Sequence, residues 1–344
     1  MSEQARVAIV VLSYQGRELL RQFVPGIVAS AANYPRAEVW VVDNASTDGT
    51  LEMLQAEFPI VKTLRLEVNK GFTNGYVESL PQIAADVYVL INSDVDVTPD
   101  WLAAPMRLLD EHPEIAAVQP KILAEQQRTH FEYSGAAGGY IDALGYPFCR
   151  GRVFFDLEAD RGQYDDARPV FWASGACCFV RAEVYHRVGG LDNSFYAHME
   201  EIDLCWRLQR AGYQVWVEPR SVVYHVGGHV IRYGSPEKLF HNYRNGLLML
   251  VKNLRPGELL PTLLVRMLLD GVAGLRGLIA GRPAELWAVL RAHGAFYRML
   301  GAAVRERRRL RELFGHAERH GWYRGSVVWD YFVRRRRRFD QIHP

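Results

Sequence analysis

The sequence predicts an α/β fold: a mostly parallel central sheet flanked by helices, with a C-terminal amphipathic helical extension. Three observations point there. Short apolar runs rich in β-branched residues alternate with stretches of helical periodicity, the pattern of buried strands joined by crossover helices. Each run stops abruptly at polar residues, most sharply in D-V-Y-V-L-I-N-S-D-V-D-V (86–97), where Asp94 and Asp96 follow the apolar stretch. Beyond residue 255, leucines recur at spacings of three and four, while charges interrupt any run long enough to span a bilayer.

The elements follow in order. Residues 7–13 form the first strand, ending at Ser13-Tyr14. A helix over 18–32 contains Pro25, which weakens it. A strand over 38–42 ends in Asp43-Asn44-Ala45-Ser46, a helix over 51–58 follows, and a strand over 61–66 closes in Asn69-Lys70-Gly71. A third helix leads to the 87–91 strand. In a parallel sheet the loops after the strands gather at one edge, so Ser13, Tyr14, Asp43, the 69–71 loop and Asp94/Asp96 are expected to share one crevice. Neither G-x-G-x-x-G after the first strand nor a P-loop occurs, which disfavours a dinucleotide or P-loop site. A strand over 116–119 precedes an irregular span, 124–169, read either as a lid over the crevice or as an insertion with its own hairpins. Further strands are expected around 170–181 and 214–217, with a helix after Phe195 that stops at Gly212.

Composition sets broad limits. With 344 residues, 49% hydrophobic and 23% charged, the chain is an ordinary globular protein. Four cysteines match neither a disulfide framework nor paired zinc spacing, and the N-terminus M-S-E-Q-A-R lacks the regions of a signal peptide. A cytoplasmic location is expected. Residues 301–344 hold twelve Arg against five Asp or Glu, a balance of +7, so with +2 overall the rest carries −5. That basic end can face anionic lipid, nucleic acid or water.

The residue types leave alternatives open. Asp94 and Asp96 suit a divalent cation holding a phosphate, or a helix cap ahead of Thr98-Pro99. Asp43 can accept from a ribose or base, or head an Asx-turn. Glu200, Glu201 and Asp203 lie in the first turn of a helix. There they suit a general base kept ionised by the helix dipole, or plain dipole compensation with Asp203 paired to Arg207. His225, ending an apolar run, is a core residue or a metal ligand.

Six stretches in sequence order, V-V-D-N-A-S-T-D-G-T, N-K-G-F-T-N-G, I-N-S-D-V-D-V, S-G-A-C-C-F-V-R, G-G-L-D-N-S-F-Y and E-E-I-D-L-C-W-R-L-Q-R-A-G-Y, resemble family 2 glycosyltransferases of the GT-A fold, most closely the rhamnosyltransferase-like members. The resemblance covers roughly residues 5–255. It implies a catalytic domain over 1–255, with a nucleotide-sugar half (1–120) and an acceptor half (121–255), and a basic helical extension over 256–344. It implies inverting transfer from a nucleoside-diphosphate sugar, dTDP-rhamnose or a UDP-hexose, to a glycan or lipid-linked acceptor in cell-surface polysaccharide synthesis. By the same resemblance Mn²⁺ or Mg²⁺ is held by Asp96, with Asp94 and His225 completing the site. Ser13, Tyr14, Asp43, Lys70, Gly71, Asn74, Asp94, Trp172, Ser174 and Gly175 bind the donor, and His198 contacts the acceptor. Glu201 falls at the usual base position, where the family more often has Asp, so Glu200 and Asp203 remain substitutes.

Two other functions are weighed. A nucleotidyltransferase making sugar nucleotides lacks here the glycine-rich, basic first loop. An inactive sugar-nucleotide-binding protein fits poorly with intact metal, base and nucleobase positions. The 260–275 stripe is expected to pack on the catalytic part or a second copy, or to lie on the inner face of the cytoplasmic membrane. The five-Arg runs at 305–311 and 334–338 would then draw the protein to anionic lipid. Nucleic acid is not an expected partner.

Overall fold

The computed structural model describes residues 5–227, 235–315 and 319–342. The alternation folds as β1 (Val7–Ser13), α1 (Arg17–Ala31), β2 (Ala37–Asp43), α2 (Thr50–Glu57), β3 (Lys62–Arg65), α3 (Gly71–Ser79) and β4 (Val87–Asn92). β1 pairs in parallel with β2 and β4, and β2 with β3. Every residue of β1 is buried. Val7, Ile9 and Val11 join one core, while Ala8, Val10 and Leu12 join the other. An unbroken apolar run is what a strand covered on both faces requires. Pro25 lies inside α1, which continues through it because Leu20, Phe23, Val24 and Ile27 anchor the helix in the core.

The chain continues through β5 (Val95–Val97), α4 (Ala103–Glu111), β6 (Ile115–Ala124), β7 (Gln127–Phe131), β8 (Gly139–Asp142), β9 (Pro147–Cys149), β10 (Arg152–Val153), β11 (Asp156–Leu157), β12 (Arg168–Val170), β13 (Cys177–Arg181), α5 (Ala182–Arg187), α6 (Glu200–Arg210) and β14 (Gln214–His225). The main sheet runs β12-β14-β6-β13-β4-β1-β2-β3. Its parallel parts are β3-β2-β1-β4 and the β6–β14 pair, and β13 joins them antiparallel to both β4 and β6. β14 extends beyond the expected 214–217 strand, passing an irregularity between Glu218 and Val222 to reach His225.

The span 124–169 is not featureless. β7 folds back on β6, and β8 to β11 build a second sheet in the order β11-β10-β9-β8-β15. Its last strand comes from the C-terminal region, which comprises α7 (Pro236–Asn253), α8 (Pro256–Ile279), α9 (Pro283–Leu313), β15 (Trp322–Tyr323) and α10 (Val327–Phe332). β15 pairs in parallel with β8, Val327 N donates to Asp142 Oδ2 at 2.9 Å, and Phe339 packs on Tyr140 with centroids 4.8 Å apart. Residues after 255 therefore complete a sheet begun at 139. All four cysteines are free and buried. No described helix is long and apolar enough to cross a membrane.

Candidate active site

The edge expected to take the donor is built by the loops that follow the parallel strands. Ser13 stands opposite Asp43 in the β1–β2 register. Asp43 is fully buried, and its two oxygens divide the alternatives between them. Oδ1 accepts from Ser46 N, three residues on, at 3.1 Å, a local side-chain-to-backbone bond that closes the loop after β2. Oδ2 accepts no hydrogen bond and faces Arg65 Nε at 3.9 Å. The buried Ser13 hydroxyl is also without a hydrogen-bond partner. Asn44 Nδ2 donates to Gly71 O at 3.1 Å while its Oδ1 accepts from Lys70 N at 2.9 Å, tying the 69–71 loop to the end of β2. Gly71 needs to be glycine twice over: its φ is +76°, and a Cβ there would meet the Tyr196 ring at 2.4 Å. Lys70 Nζ is held by Glu78 at 3.2 Å, Tyr14 is exposed, and Asn74 is half-buried on α3.

At the end of β4 the structure gathers Asn92, Asp94 and His225. His225 Nε2 lies 3.2 Å from Asp94 Oδ1 and 3.4 Å from Asn92 Nδ2, while its Nδ1 lies 3.2 Å from Glu132 Oε2. Gly227 N donates to Asp94 Oδ2 at 3.2 Å. Burial opposes the charge on Asp94, but the His225 hydrogen bond and charge, together with backbone hydrogen bonds including that from Gly227, outweigh it and keep the carboxyl below the usual range. Burial likewise disfavours imidazolium at His225, yet Asp94 and Glu132 raise its pKa to about 10.

Asp96 is not in this group. It pairs with Tyr224 across the β5–β14 ladder, whereas His225 pairs with Val95. Successive residues of a strand point to opposite faces, so Asp96 and His225 lie on opposite sides. The Asp96 carboxylate instead accepts from Arg128 Nη2 at 2.6 Å, and that guanidinium covers the Tyr224 ring at 4.1 Å. Of the expected metal set, the structure brings Asp94 and His225 together and holds Asp96 apart from them on Arg128.

Asp94 and His225 do fit a divalent cation. Two donors about 3 Å apart match neighbouring ligands of an octahedral ion at about 2.1 Å. A carboxylate on the far ring nitrogen, here Glu132, is the usual orienting partner of a ligating histidine. Among the described residues no group of three His, Cys, Asp or Glu is placed to hold an ion. Such a site would therefore draw its remaining ligands from phosphate and water, as magnesium sites usually do.

The side expected to take the acceptor is built on the first turn of α6. His198 and Met199 both have positive φ, 69° and 72°, a strained entry for residues with a Cβ. Asn245 on α7 holds that turn, donating to Ala197 O at 2.9 Å and His198 O at 2.7 Å. Glu200 and Glu201 line a small cavity with Phe72, Ala173 and Gly175, and each has one buried carboxylate oxygen without a partner. Burial, followed by the Glu201 charge, pushes Glu200 well above the usual carboxylate range. Burial also raises Glu201, but the Lys238 charge counters it, and Glu201 is the more exposed of the two. His198 is kept neutral, its pKa lowered to about 3 by burial and by Lys238. The turn at Gly175 links the two sides. A Cβ on Gly175 would lie 3.6 Å from Phe72 and 3.9 Å from Glu201 Cβ, and Asn92 N donates to Ala176 O at 3.0 Å.

Three expected site residues do other work. Asp203 is fully buried between Arg207 Nε, Lys252 Nζ and Asn253 Nδ2, each at 2.8 Å, so it joins α6 to α7. Trp172 is buried with its ring against Gly139 and its Nε1 donating to Tyr140 O at 2.9 Å, away from the donor crevice. Ser174 is closed into its own turn, with Oγ accepting from Ala176 N at 3.1 Å, which leaves Gly175 as the member of that trio that reaches the cavity.

The model of the family described as "Glycosyltransferase like family 2" matches residues 5–245. The chain belongs to this family. This family 2 glycosyltransferase is 28% identical over 233 residues to the N-acetylglucosaminyl-diphospho-decaprenol L-rhamnosyltransferase of Mycobacterium tuberculosis, covering 63% of the chain and 75% of the relative. Among solved structures, S. aureus TarS 1-349 in complex with UDP-GlcNAc superposes with a TM-score of 0.57 at 17% identity, covering 90% of this chain and 84% of the other. The mannosyltransferase PcManGT from Pyrobaculum calidifontis, in complex with GDP-Man and Mn2+, gives 0.52 at 15%, covering 91% and 86%. These likenesses establish the GT-A fold.

Sequence reasoning passed over Asn44, Asn92, Glu132 and Asn245. Asn44 and Asn92 stood beside singled-out acids, in D-N-A-S and N-S-D, and Asn245 closes N-Y-R-N. Glu132 carried no local signal, because its partner His225 is supplied by a strand more than ninety residues later.

Proposed function

We propose that this glycosyltransferase transfers a sugar with inversion from a nucleoside diphosphate, dTDP-rhamnose or a UDP-hexose, to a hydroxyl of a lipid-linked glycan at the inner face of the cytoplasmic membrane. The product would enter cell-surface polysaccharide synthesis. The observation that supports this reading is the Gly175 turn: a Cβ on Gly175 would lie 3.9 Å from Glu201 Cβ, and the next carbonyl, Ala176 O, accepts from Asn92 N at the end of β4. The name of the mycobacterial relative supports the donor and acceptor classes, joining L-rhamnosyl transfer to a decaprenol diphosphate.

Asp43 Oδ2 and Ser13 Oγ, buried and without hydrogen-bond partners, are placed to take the nucleoside. Asp94 and His225 would hold Mn²⁺ or Mg²⁺, which when bound neutralises the charge of the departing diphosphate. Glu201 accepts the acceptor hydroxyl's proton as that oxygen bonds to the anomeric carbon. The bond to the diphosphate oxygen breaks, and the electron pair leaves with the nucleotide. A carboxyl raised toward neutrality by burial suits that task better than a solvated one. Glu200, more strongly shifted, keeps its proton and adds no second charge to the cavity.

The test is a panel of dTDP-rhamnose, UDP-GlcNAc and GDP-mannose with a GlcNAc-diphosphate-polyprenol acceptor, with Mn²⁺ or EDTA. Transfer from dTDP-rhamnose or the UDP-sugar, lost in EDTA, is expected. No release of nucleoside diphosphate and no donor binding across the panel would overturn the reading.

A further inference from the structure

Helix α8 is oriented with its polar stripe inward. Thr262, Arg266, Asp270 and Gly274 are buried, whereas Leu260, Leu264, Leu268, Val272, Leu275 and Ile279 are 53–87% exposed. The inward stripe is fully engaged. Arg266 Nε donates to Asp270 Oδ1 at 3.0 Å and its Nη1 to Gly145 O at 3.1 Å, and Tyr146 and His293 also meet Asp270. A water-facing helix normally shows the reverse pattern. At 3.6 residues per turn, the outward apolar residues cover an arc of roughly 120° and a length of about 29 Å. Arg276 is the one charged residue at the edge of that arc.

The apolar surface continues past α8. The Arg276 guanidinium lies 5.2 Å from the Phe332 ring on α10, and Phe332 and Phe155 both stack beside Phe154. Phe332, Trp329 and Phe155 are exposed. The Arg334–Arg338 run adjoins them, but it is largely answered within the chain. Arg334 and Arg336 pair with Asp330, Arg337 with Asp156 and Arg338 with Asp340, so five Arg against three Asp leave +2. The rim is basic, yet the charge is too small to be the main attraction.

We propose that α8 lies in the plane of an anionic lipid monolayer, its outward leucines among the acyl chains and Arg276 at headgroup level. This deepens the reading of a lipid-linked acceptor by naming the surface that brings the enzyme to it. The residual charge, secondary to the apolar face as an attraction, still favours lipid over a second copy as occupant. A two-fold pairing through this face would bring two basic rims together, whereas anionic headgroups complement them.

The test is flotation of the full chain with vesicles of phosphatidylglycerol and phosphatidylcholine in equal parts, without donor or acceptor, so a wrong donor assignment leaves the result untouched. The wild type is expected to float. The triple variant L264E/L268E/L275E should bind roughly a hundredfold more weakly, given the apolar area lost from the monolayer, with its circular dichroism and its donor hydrolysis unchanged. Replacing Arg334–Arg338 by Gln should cost less than about tenfold and flatten the salt dependence. If the triple variant misfolds, L268D alone carries the test. Failure of the wild type to float, equal flotation of a folded variant, or a wild-type dimer that the variant converts to monomer would each overturn the proposal.

Discussion

The proposed donor edge and the proposed acceptor edge of this enzyme are built by different means. On the donor edge, Asp43, Asn44, Asn92 and Asp94 sit where parallel strands end, and backbone hydrogen bonds place them. Asn44 binds the 69–71 loop and Gly227 N donates to Asp94. On the acceptor edge, Glu200 and Glu201 follow two residues of positive φ, held in place by Asn245 from a later helix. One edge is set by sheet topology, and the other by side-chain contacts between α6 and α7. Holding two carboxyls with unpartnered buried oxygens is expensive, and the α6–α7 contacts stabilise that arrangement.

The sharpest way to break this comparison is to disable one edge and leave the other intact. Glu201→Gln is expected to slow transfer about a thousandfold, about 4 kcal/mol, while calorimetric donor binding stays unchanged. If Glu200→Gln produces that loss instead, the two carboxyls exchange roles.

Next in size is the α6–α7 joint. Lys252 Nζ is buried between Asp192 at 2.5 Å and Asp203 at 2.8 Å. Lys252→Met should cost about 3 kcal/mol of stability in denaturant titration, because the buried Asp203 and the partly buried Asp192 lose their shared cation. The Asp192 contribution carries a pH signature. Burial alone would raise its pKa, but the Lys252 charge and the Ser194 hydrogen bonds hold it well below the usual range. With the folded pKa depressed, its stabilisation is complete above the unfolded value of about 3.9 and is lost as pH falls below it. The stability gap between wild type and Asp192→Asn should accordingly be full at neutral pH and narrow under acid.

On the donor edge the expected effects are smaller. Glu132→Gln should weaken Mn²⁺ affinity about thirtyfold, about 2 kcal/mol, since it removes the group that orients His225. Asp96→Asn should leave that affinity unchanged, and electron paramagnetic resonance titration separates the two. A loss with Asp96→Asn would return Asp96 to the metal site. Asn44→Ala is the mildest: about 1 kcal/mol in thermal unfolding, with weaker donor binding as the 69–71 loop loosens.

The legible parts of the chain share a physical character. β1, β2 and β4 are buried on both faces, so each appears as an apolar run with a sharp polar stop, and Asp43, Asp94 and the 69–71 loop follow at those stops. The 124–169 span was opaque because its short strands pair with distant partners: β12 with β14, and β8 with β15. Trp172 lay in a recognisable motif, but its burial against Gly139 depends on that second sheet.

By itself the sequence determined the family, the strand ends at which Asp43 and Asp94 stand, and a first turn of α6 that bears three acids. Local periodicity and strand-end chemistry are properties of neighbouring residues, so they survive without coordinates. Only the tertiary structure separated those acids, tying Asp203 to Arg207, Lys252 and Asn253 while leaving Glu200 and Glu201 toward the cavity. It alone put Asp96 across the sheet from His225, and turned the leucines of α8 outward. Which face a side chain occupies follows from register and packing with residues far along the chain, and these are fixed only when the chain folds.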